Sequence, residues 1–158
     1  MKVKKKTAEV LRAAVAALER HPSKFNMAEW FQFKEDGKRL KPKDSQDFCG
    51  TACCLAGQIV LNAGANRDLL HKFEIECSVS FKDIFPNKLK KIINDYTLYP
   101  YKNVAQIIAN LDDDQGTALF FADYWPGQFR DRYANAKTGK ASVKILKQRV
   151  EHFIETGE

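Results

Sequence analysis

One segment limits the possible folds of this 158-residue chain more than any other. The residues from Thr51 to Ala63 are apolar on nearly every side of a helix, and Gly64 follows as a stop signal. A helix that is apolar all round has to be surrounded by other elements. The segment therefore predicts a central, buried helix with the rest of the chain packed around it.

Apolar residues recur at helical spacing along most of the remaining sequence. This spacing predicts a first helix over 8–20, a last helix over 140–155, and shorter helices over 67–73, 81–85, 88–96, 104–111 and 114–122. The expected N-caps are Thr7, Asn87 and Asn103, and Gly157 is the expected end of the last helix. We expect a mainly α-helical fold in which residues 1–158 form a single domain.

A small β-hairpin is predicted as an insertion near residues 31–43. Asp36-Gly37 lies between two short segments, and this dipeptide favours the type I′ turn of a two-residue hairpin. The segment is rich in charge and has no apolar pattern that would hold its tip against a core. We expect it to be an exposed, charged ribbon.

The composition excludes several classes of protein. No apolar run approaches the roughly 18 to 20 residues of a membrane-spanning helix, so we expect no membrane partner. Three of the four cysteines lie within 49–54, a spacing that does not suit a disulfide framework. Reduced thiols and a cytoplasmic location are the expectation. The usual phosphate-binding, dinucleotide-binding and hydrolase motifs are missing, and we expect no cofactor and no metal.

The net charge of +6 is concentrated in the first third of the chain. Residues 1–50 hold 12 Lys and Arg against 7 Asp and Glu, whereas the remaining residues are nearly balanced. Together with Trp30, Phe31 and Phe33, this excess raises the alternative of nucleic-acid binding through stacking and phosphate contacts. No recognition motif accompanies it, and solubility alone accounts for such a surplus.

A discontinuous pattern runs through nearly the whole sequence. It consists of His21-Pro22, Phe25-x-Met27-x-x-Trp30, Cys49-Gly50-Thr51-x-x-Cys54-x-Ala56-Gly57, Leu119-Phe120, Trp125-Pro126 and Thr138-Gly-Lys-Ala141. With this pattern the chain resembles a family of small uncharacterised proteins from bacteriophages and prophages. It departs from that family in residues 34–47, which include most of the charged ribbon and are expected to be an insertion, and in the additional Cys53. The resemblance implies a phage origin, action in the cytoplasm of a bacterial host, and no established catalytic residue.

Cysteine chemistry gives the principal enzymatic alternative. Cys49 precedes the start of the central helix, where unpaired N–H groups and the helix dipole favour a thiolate. A histidine such as His21, or else His71 or His152, would then act as the base of a hydrolase or transferase. The competing interpretation is that Cys49 is a small buried hydrophobe. A zinc site built from Cys49, Cys53 or Cys54, His71 and Cys77 fits poorly, because Cys77 has no second cysteine beside it.

Other polar features have ordinary structural explanations. Asp112, Asp113 and Asp114 are expected to be a solvated helix N-terminus, because the spacing of a calcium loop does not follow them. His21 is expected to end the first helix ahead of Pro22. Trp125 is expected either to close the edge of the core or to be an interface anchor.

The function that these features favour is a non-enzymatic binding protein of a phage, which modulates or inhibits a host protein such as an antiviral-defence component. The expected partner-binding residues lie on the charged ribbon and at its base: Trp30, Phe33, Lys34, Lys38, Arg39, Lys41 and Lys43. A host protein is the expected partner, while a nucleic acid and a small-molecule ligand remain alternatives.

Overall fold

The computed structural model describes residues 3–25, 27, 31–32, 52–73, 79–91 and 100–158. Along the chain these form α1 (Lys5–Arg20), β1 (Phe31–Gln32), β2 (Ala52–Cys53), α2 (Leu55–Asn62), α3 (Arg67–His71), α4 (Asn87–Lys90), α5 (Pro100–Ala109), α6 (Asp113–Phe120), α7 (Gly127–Ala134) and α8 (Gly139–Thr156). Single 3₁₀ turns cover Pro22–Lys24, Phe81–Ile84 and Ala122–Tyr124. The prediction of a mainly α-helical fold is confirmed.

Helix α2 occupies the centre of the core, as its composition predicts. Leu55, Ala56 and Val60 have no exposed surface, and even the polar Gln58 is buried. Helix α2 packs against both α1 and α5, while α8 packs against α1 and α7. A single apolar cluster joins buried side chains from all of these helices. None of the helices in the described ranges is both long and apolar enough to span a membrane.

Helix α1 starts earlier than its sequence signals suggest. Lys4 rather than Thr7 is the N-cap, and Thr7 lies inside the helix with its side chain buried. Burial of Thr7 on the apolar face, together with Ala8 and Leu11, outweighs its capping preference. Asn87 and Asn103 are likewise inside their helices, and Pro86 is the N-cap of α4.

The β-hairpin predicted near residues 31–43 is not supported. Phe31 and Gln32 pair in antiparallel fashion with Cys53 and Ala52, which lie well beyond the end of the predicted hairpin. Residues 33–51 lie outside the described ranges. The start of the predicted central helix is also wrong, because Ala52 and Cys53 form strand β2 and the helix begins at Leu55. The observed partner of β1 is a strand that leads into the core, and a local turn signal carries no information about pairing over such a distance.

Candidate functional site

Strands β1 and β2 bring together the two ends of residues 33–51. Phe31 is opposite Cys53 and Gln32 is opposite Ala52. The chain therefore leaves the described fold and re-enters it at one place. We call the pair β1–β2 the strand base. The predicted partner-binding residues lie between these strands or just before β1, and all of them are outside the described residues: Trp30, Phe33, Lys34, Lys38, Arg39, Lys41 and Lys43.

On one side, the strand base continues directly into the buried core. Cys54 follows β2 and is the N-cap of α2, where its Sγ accepts a hydrogen bond from the Gly57 N–H at 3.5 Å. Cys54 and the following Leu55 are almost completely buried. Strand β2 is thus fixed by its covalent connection to the most buried helix of the protein.

On the other side, the chain leading to β1 is held by Tyr133 of α7. The Tyr133 hydroxyl accepts a hydrogen bond from the Met27 N–H at 3.0 Å. The Tyr133 ring meets Phe25 and Trp125 edge-on, with ring centroids 5.9 Å and 5.3 Å away. Phe25, Met27 and Trp125 are buried. We call these three residues and Tyr133 the aromatic clamp.

The pKa of Tyr133 is raised, chiefly because burial disfavours the phenolate. The hydrogen bond from the Met27 N–H acts in the opposite direction, and the nearby Cys54 adds a smaller increase. The phenol is therefore protonated at neutral pH. Its oxygen acts as a neutral hydrogen-bond acceptor for the backbone.

A close backbone contact joins α8 to the Pro22–Lys24 turn, which directly precedes Phe25 of the aromatic clamp. The turn Pro22–Lys24 packs against the start of α8, and a Cβ on Gly139 would lie only 2.1 Å from the Pro22 carbonyl oxygen. Only glycine fits at this contact. The same turn also packs beside β2. The start of α8, the Pro22 turn and the strand base therefore form one continuous contact.

Several residues of the discontinuous sequence pattern meet in this region. The pattern members that pack around Tyr133 and the Pro22 turn are Pro22, Phe25, Met27, Cys54, Trp125 and Gly139. Tyr133 itself is absent from the pattern. For these members, the pattern marks the packing that supports the strand base.

Trp125 belongs to the core. Its side chain is 2% exposed, and its indole N–H donates to the Leu119 carbonyl oxygen at 3.0 Å. Of the two expectations for Trp125, closure of the core is confirmed and the interface anchor is wrong. The neighbouring Tyr124 is the aromatic residue that faces solvent, with 66% of its surface exposed.

The thiol of Cys54 is unsuited to nucleophilic chemistry. Burial raises the pKa of Cys54 to about 11, although hydrogen bonds from the backbone at the helix start lower it in part. The thiol is therefore protonated at neutral pH. Cys49, the proposed nucleophile, and Cys77 lie outside the described residues, as does the side chain of Cys53.

His21 ends α1, as its position before Pro22 predicts. It is the C-cap residue, its backbone N–H donates to the Leu18 carbonyl oxygen at 3.1 Å, and its side chain is exposed. His152 lies on α8 with its ring 5.4 Å from that of Phe129. The side chain of His71 is outside the described part of the chain. The pairing of Cys49 with a histidine therefore stays a prediction.

The acidic run forms a helix start, as predicted. The Asp112 side chain accepts a hydrogen bond from the Gln115 N–H at 2.8 Å, and the Gln115 side chain accepts one from the Asp112 N–H. The two bonds form a capping box. Asp113 accepts a hydrogen bond at 2.8 Å from the buried Lys102, which is the main reason that the pKa of Asp113 is lowered. Among the described residues, no group of three or more His, Cys, Asp or Glu could hold a metal ion.

The sequence interpretation missed Arg149, a fully buried cation on α8. Its guanidinium donates to the carbonyl oxygens of Ala118 and Glu158 at 3.1 Å and 2.6 Å, and lies within 6 Å of the rings of Phe129 and Phe153. Burial lowers the pKa of Arg149 to about 10. Arg149 lies on the same face of the helix as Leu146, Val150 and Phe153, and this spacing is the sequence feature that indicates its burial.

A shallow depression of about 640 Å³ follows the seam between α1 and α8. Two ion pairs connect α1 and α8 across this seam. The Arg12 guanidinium donates three hydrogen bonds to the Glu151 carboxylate, at 2.9 Å, 3.3 Å and 2.6 Å, and Lys147 pairs with Glu19 at 2.8 Å. The arrangement is that of a solvated helix seam.

Comparison with known proteins adds no relationship to these observations. No family model, no curated protein and no solved structure matches the chain significantly.

Proposed function

We propose that this protein is a non-enzymatic binding protein, encoded by a phage, that modulates or inhibits a host protein such as a component of antiviral defence. The phage origin rests on the sequence pattern described above. The binding role is supported by the strand base, which joins the two ends of residues 33–51 at one point of a helical scaffold. Loops that carry recognition are commonly held in this way on rigid elements.

The anchoring on both sides of the strand base favours a recognition role. Strand β2 runs into α2, and the chain before β1 is tied to Tyr133 through Met27. Holding the two ends of a long segment together reduces the conformational entropy that it loses when it binds. Within the segment, residues 37–43 hold four Lys and Arg and no Asp or Glu, so the positive charge is concentrated on one short stretch: Lys38, Arg39, Lys41 and Lys43.

The experiment is capture of a partner from host lysate by the tagged protein, paired with a variant in which residues 34–43 are replaced by a short Gly-Ser turn. Replacement should leave helical circular dichroism unchanged, because all the described helices lie outside residues 34–43. The wild-type protein should retain one host protein in stoichiometric amount, and the variant should lose it. Equal retention by both would place the interface elsewhere, and repeated recovery of chaperones alone would exclude the proposed function.

A further inference from the structure

We infer that Tyr133 is a positioning residue, whose hydroxyl fixes the chain that leads into the strand base, where the two ends of residues 33–51 meet. This inference rests on the proposed function for its consequence in binding. Nothing in the sequence pattern singles out Tyr133, which lies on a short helix more than 100 residues along the chain from Met27.

The two strands are not anchored equally. Strand β2 has covalent continuity with α2, and Cys54 and Leu55 are buried immediately after it. Among the described residues before β1, Phe25 and Met27 have buried side chains, and the Met27 N–H donates to the Tyr133 hydroxyl. The aromatic clamp is therefore the described contact that ties the chain before β1 to the helical scaffold.

The hydroxyl and the ring of Tyr133 have separate tasks. The ring packs against Phe25 and Trp125 and belongs to the core, so its loss would disturb the fold broadly. The hydroxyl contributes a single polar contact to the backbone that leads to β1. Without the hydroxyl, the Met27 N–H would be left unpaired in a largely apolar environment. The free-energy cost of that unpaired group favours local opening of the backbone. Tyr133→Phe removes the hydrogen bond and keeps the packing of the ring.

The test compares Tyr133→Phe with Tyr124→Phe, a matched loss of one tyrosine hydroxyl at an exposed site. Amide hydrogen exchange, followed by NMR, reports on β1 and β2 and, as an internal reference, on the α8 core amides of Leu146 and Val150. Tyr133→Phe should accelerate exchange at Met27 and in the strand base by roughly five- to tenfold, and leave the α8 amides unchanged. Tyr124→Phe should change neither.

The second measurement is the dissociation rate of the host protein retained by the wild type, once that protein is purified. Tyr133→Phe should raise the dissociation rate several-fold with little change in the association rate, because it alters the fit and not the charge. Unchanged exchange in the strand base would overturn the inference, as would uniform acceleration in every helix, which indicates a general loss of stability.

The two proposals can fail separately. Faster exchange in the strand base with unchanged dissociation would show that Tyr133 is structural only, and would overturn the inference while leaving the binding function intact. If the wild-type protein retained no host protein at all, the proposed function would be excluded. The exchange data would then decide by themselves whether Tyr133 positions the strand base.

Discussion

Cys54 lies at a helix start, where unpaired N–H groups normally favour a thiolate, yet its pKa is raised to about 11. Its Sγ already receives the Gly57 N–H at 3.5 Å, but removal from water outweighs that stabilisation. Cys49 is predicted to be a nucleophile from the same proximity to a helix start. Proximity to a helix N-terminus is therefore insufficient to predict a reactive cysteine in this chain, because burial depends on tertiary packing.

Iodoacetamide labelling at neutral pH should proceed most slowly at Cys54. With a pKa of about 11, roughly one Cys54 thiol in ten thousand is ionised at pH 7, and the side chain is also shielded from the reagent. Mass spectrometry of labelled peptides measures the rates, and labelling in urea provides the control. Rapid native labelling of Cys54 would contradict its burial. Preferential labelling of Cys49 would support the enzymatic alternative.

Replacement of Arg149 by alanine should destabilise the protein by about 2–4 kcal/mol, because it leaves a cavity and removes the donors to two carbonyl oxygens. Arg149→Met should cost less. Methionine keeps the contact with the phenylalanine rings and removes the burial of a charge. Urea unfolding monitored by circular dichroism measures both variants. The exposed Arg132→Ala is the control, and an equal effect there would contradict the role of burial.

At the scale of secondary-structure elements, periodicity was most informative for long amphipathic helices. Helices α1 and α8 differ from the predicted ranges by only a few residues. Helix α7 was missed, because its residues are mostly polar and Phe129 is its one buried side chain. Strand β2 was assigned to a helix, because Ala and Cys next to an apolar run carry no signal for pairing with a strand far away in the sequence.

The contact between the start of α8 and the Pro22 turn should not tolerate a side chain. Gly139→Ala would place a Cβ 2.1 Å from the Pro22 carbonyl oxygen, so the backbone would have to separate. We expect a loss of about 1–3 kcal/mol in the free energy of unfolding. Gly127→Ala is the matched control, since the nearest atom to its Cβ would lie at 3.9 Å. Equal urea midpoints for the two variants would refute the close contact.

The attachment of α8 to α1 should weaken in acid. The hydrogen bond from Arg12 is the main cause that lowers the pKa of Glu151 in the folded protein. A carboxyl with a lowered folded pKa stabilises the protein above its unfolded pKa of roughly 4.3, and this contribution disappears as the pH falls through the folded pKa. Glu151→Gln should therefore be less stable than wild type near neutrality, with a difference that shrinks below about pH 4. Urea titrations across pH measure it, and a pH-independent difference would contradict the ion pair.

At the scale of the whole molecule, the sequence predicted the helical architecture and the central position of α2. It did not predict which distant residues meet. Met27 and Tyr133 are separated by more than 100 residues, and Phe31 pairs with Cys53 across the charged segment. Such contacts depend on how helices pack, and neither local propensity nor periodicity encodes that packing. The aromatic clamp and the strand base became visible only in the folded structure.

The positive charge within residues 33–51 should control the rate at which the partner associates. Reversal of Lys38, Arg39 and Lys41 to glutamate changes the net charge from +6 by six units, to zero. Because complementary charge acts chiefly on diffusional encounter, the association rate should fall and its dependence on ionic strength should weaken. Surface plasmon resonance with the captured host protein, over a series of salt concentrations, measures both quantities.

Net charge alone must be separated from charge at the segment. Reversal of Lys72, Lys88 and Lys91 on the helical scaffold, all exposed and none of them on α2, α7, α8 or the Pro22 turn, produces the same net charge of zero. Steering depends on where charge lies relative to the interface, and screening limits its reach to about 8–10 Å at physiological salt. The scaffold variant should therefore retain most of the association rate. If both variants slowed binding equally, the segment would have no special role, and the partner would be responding to the overall positive charge.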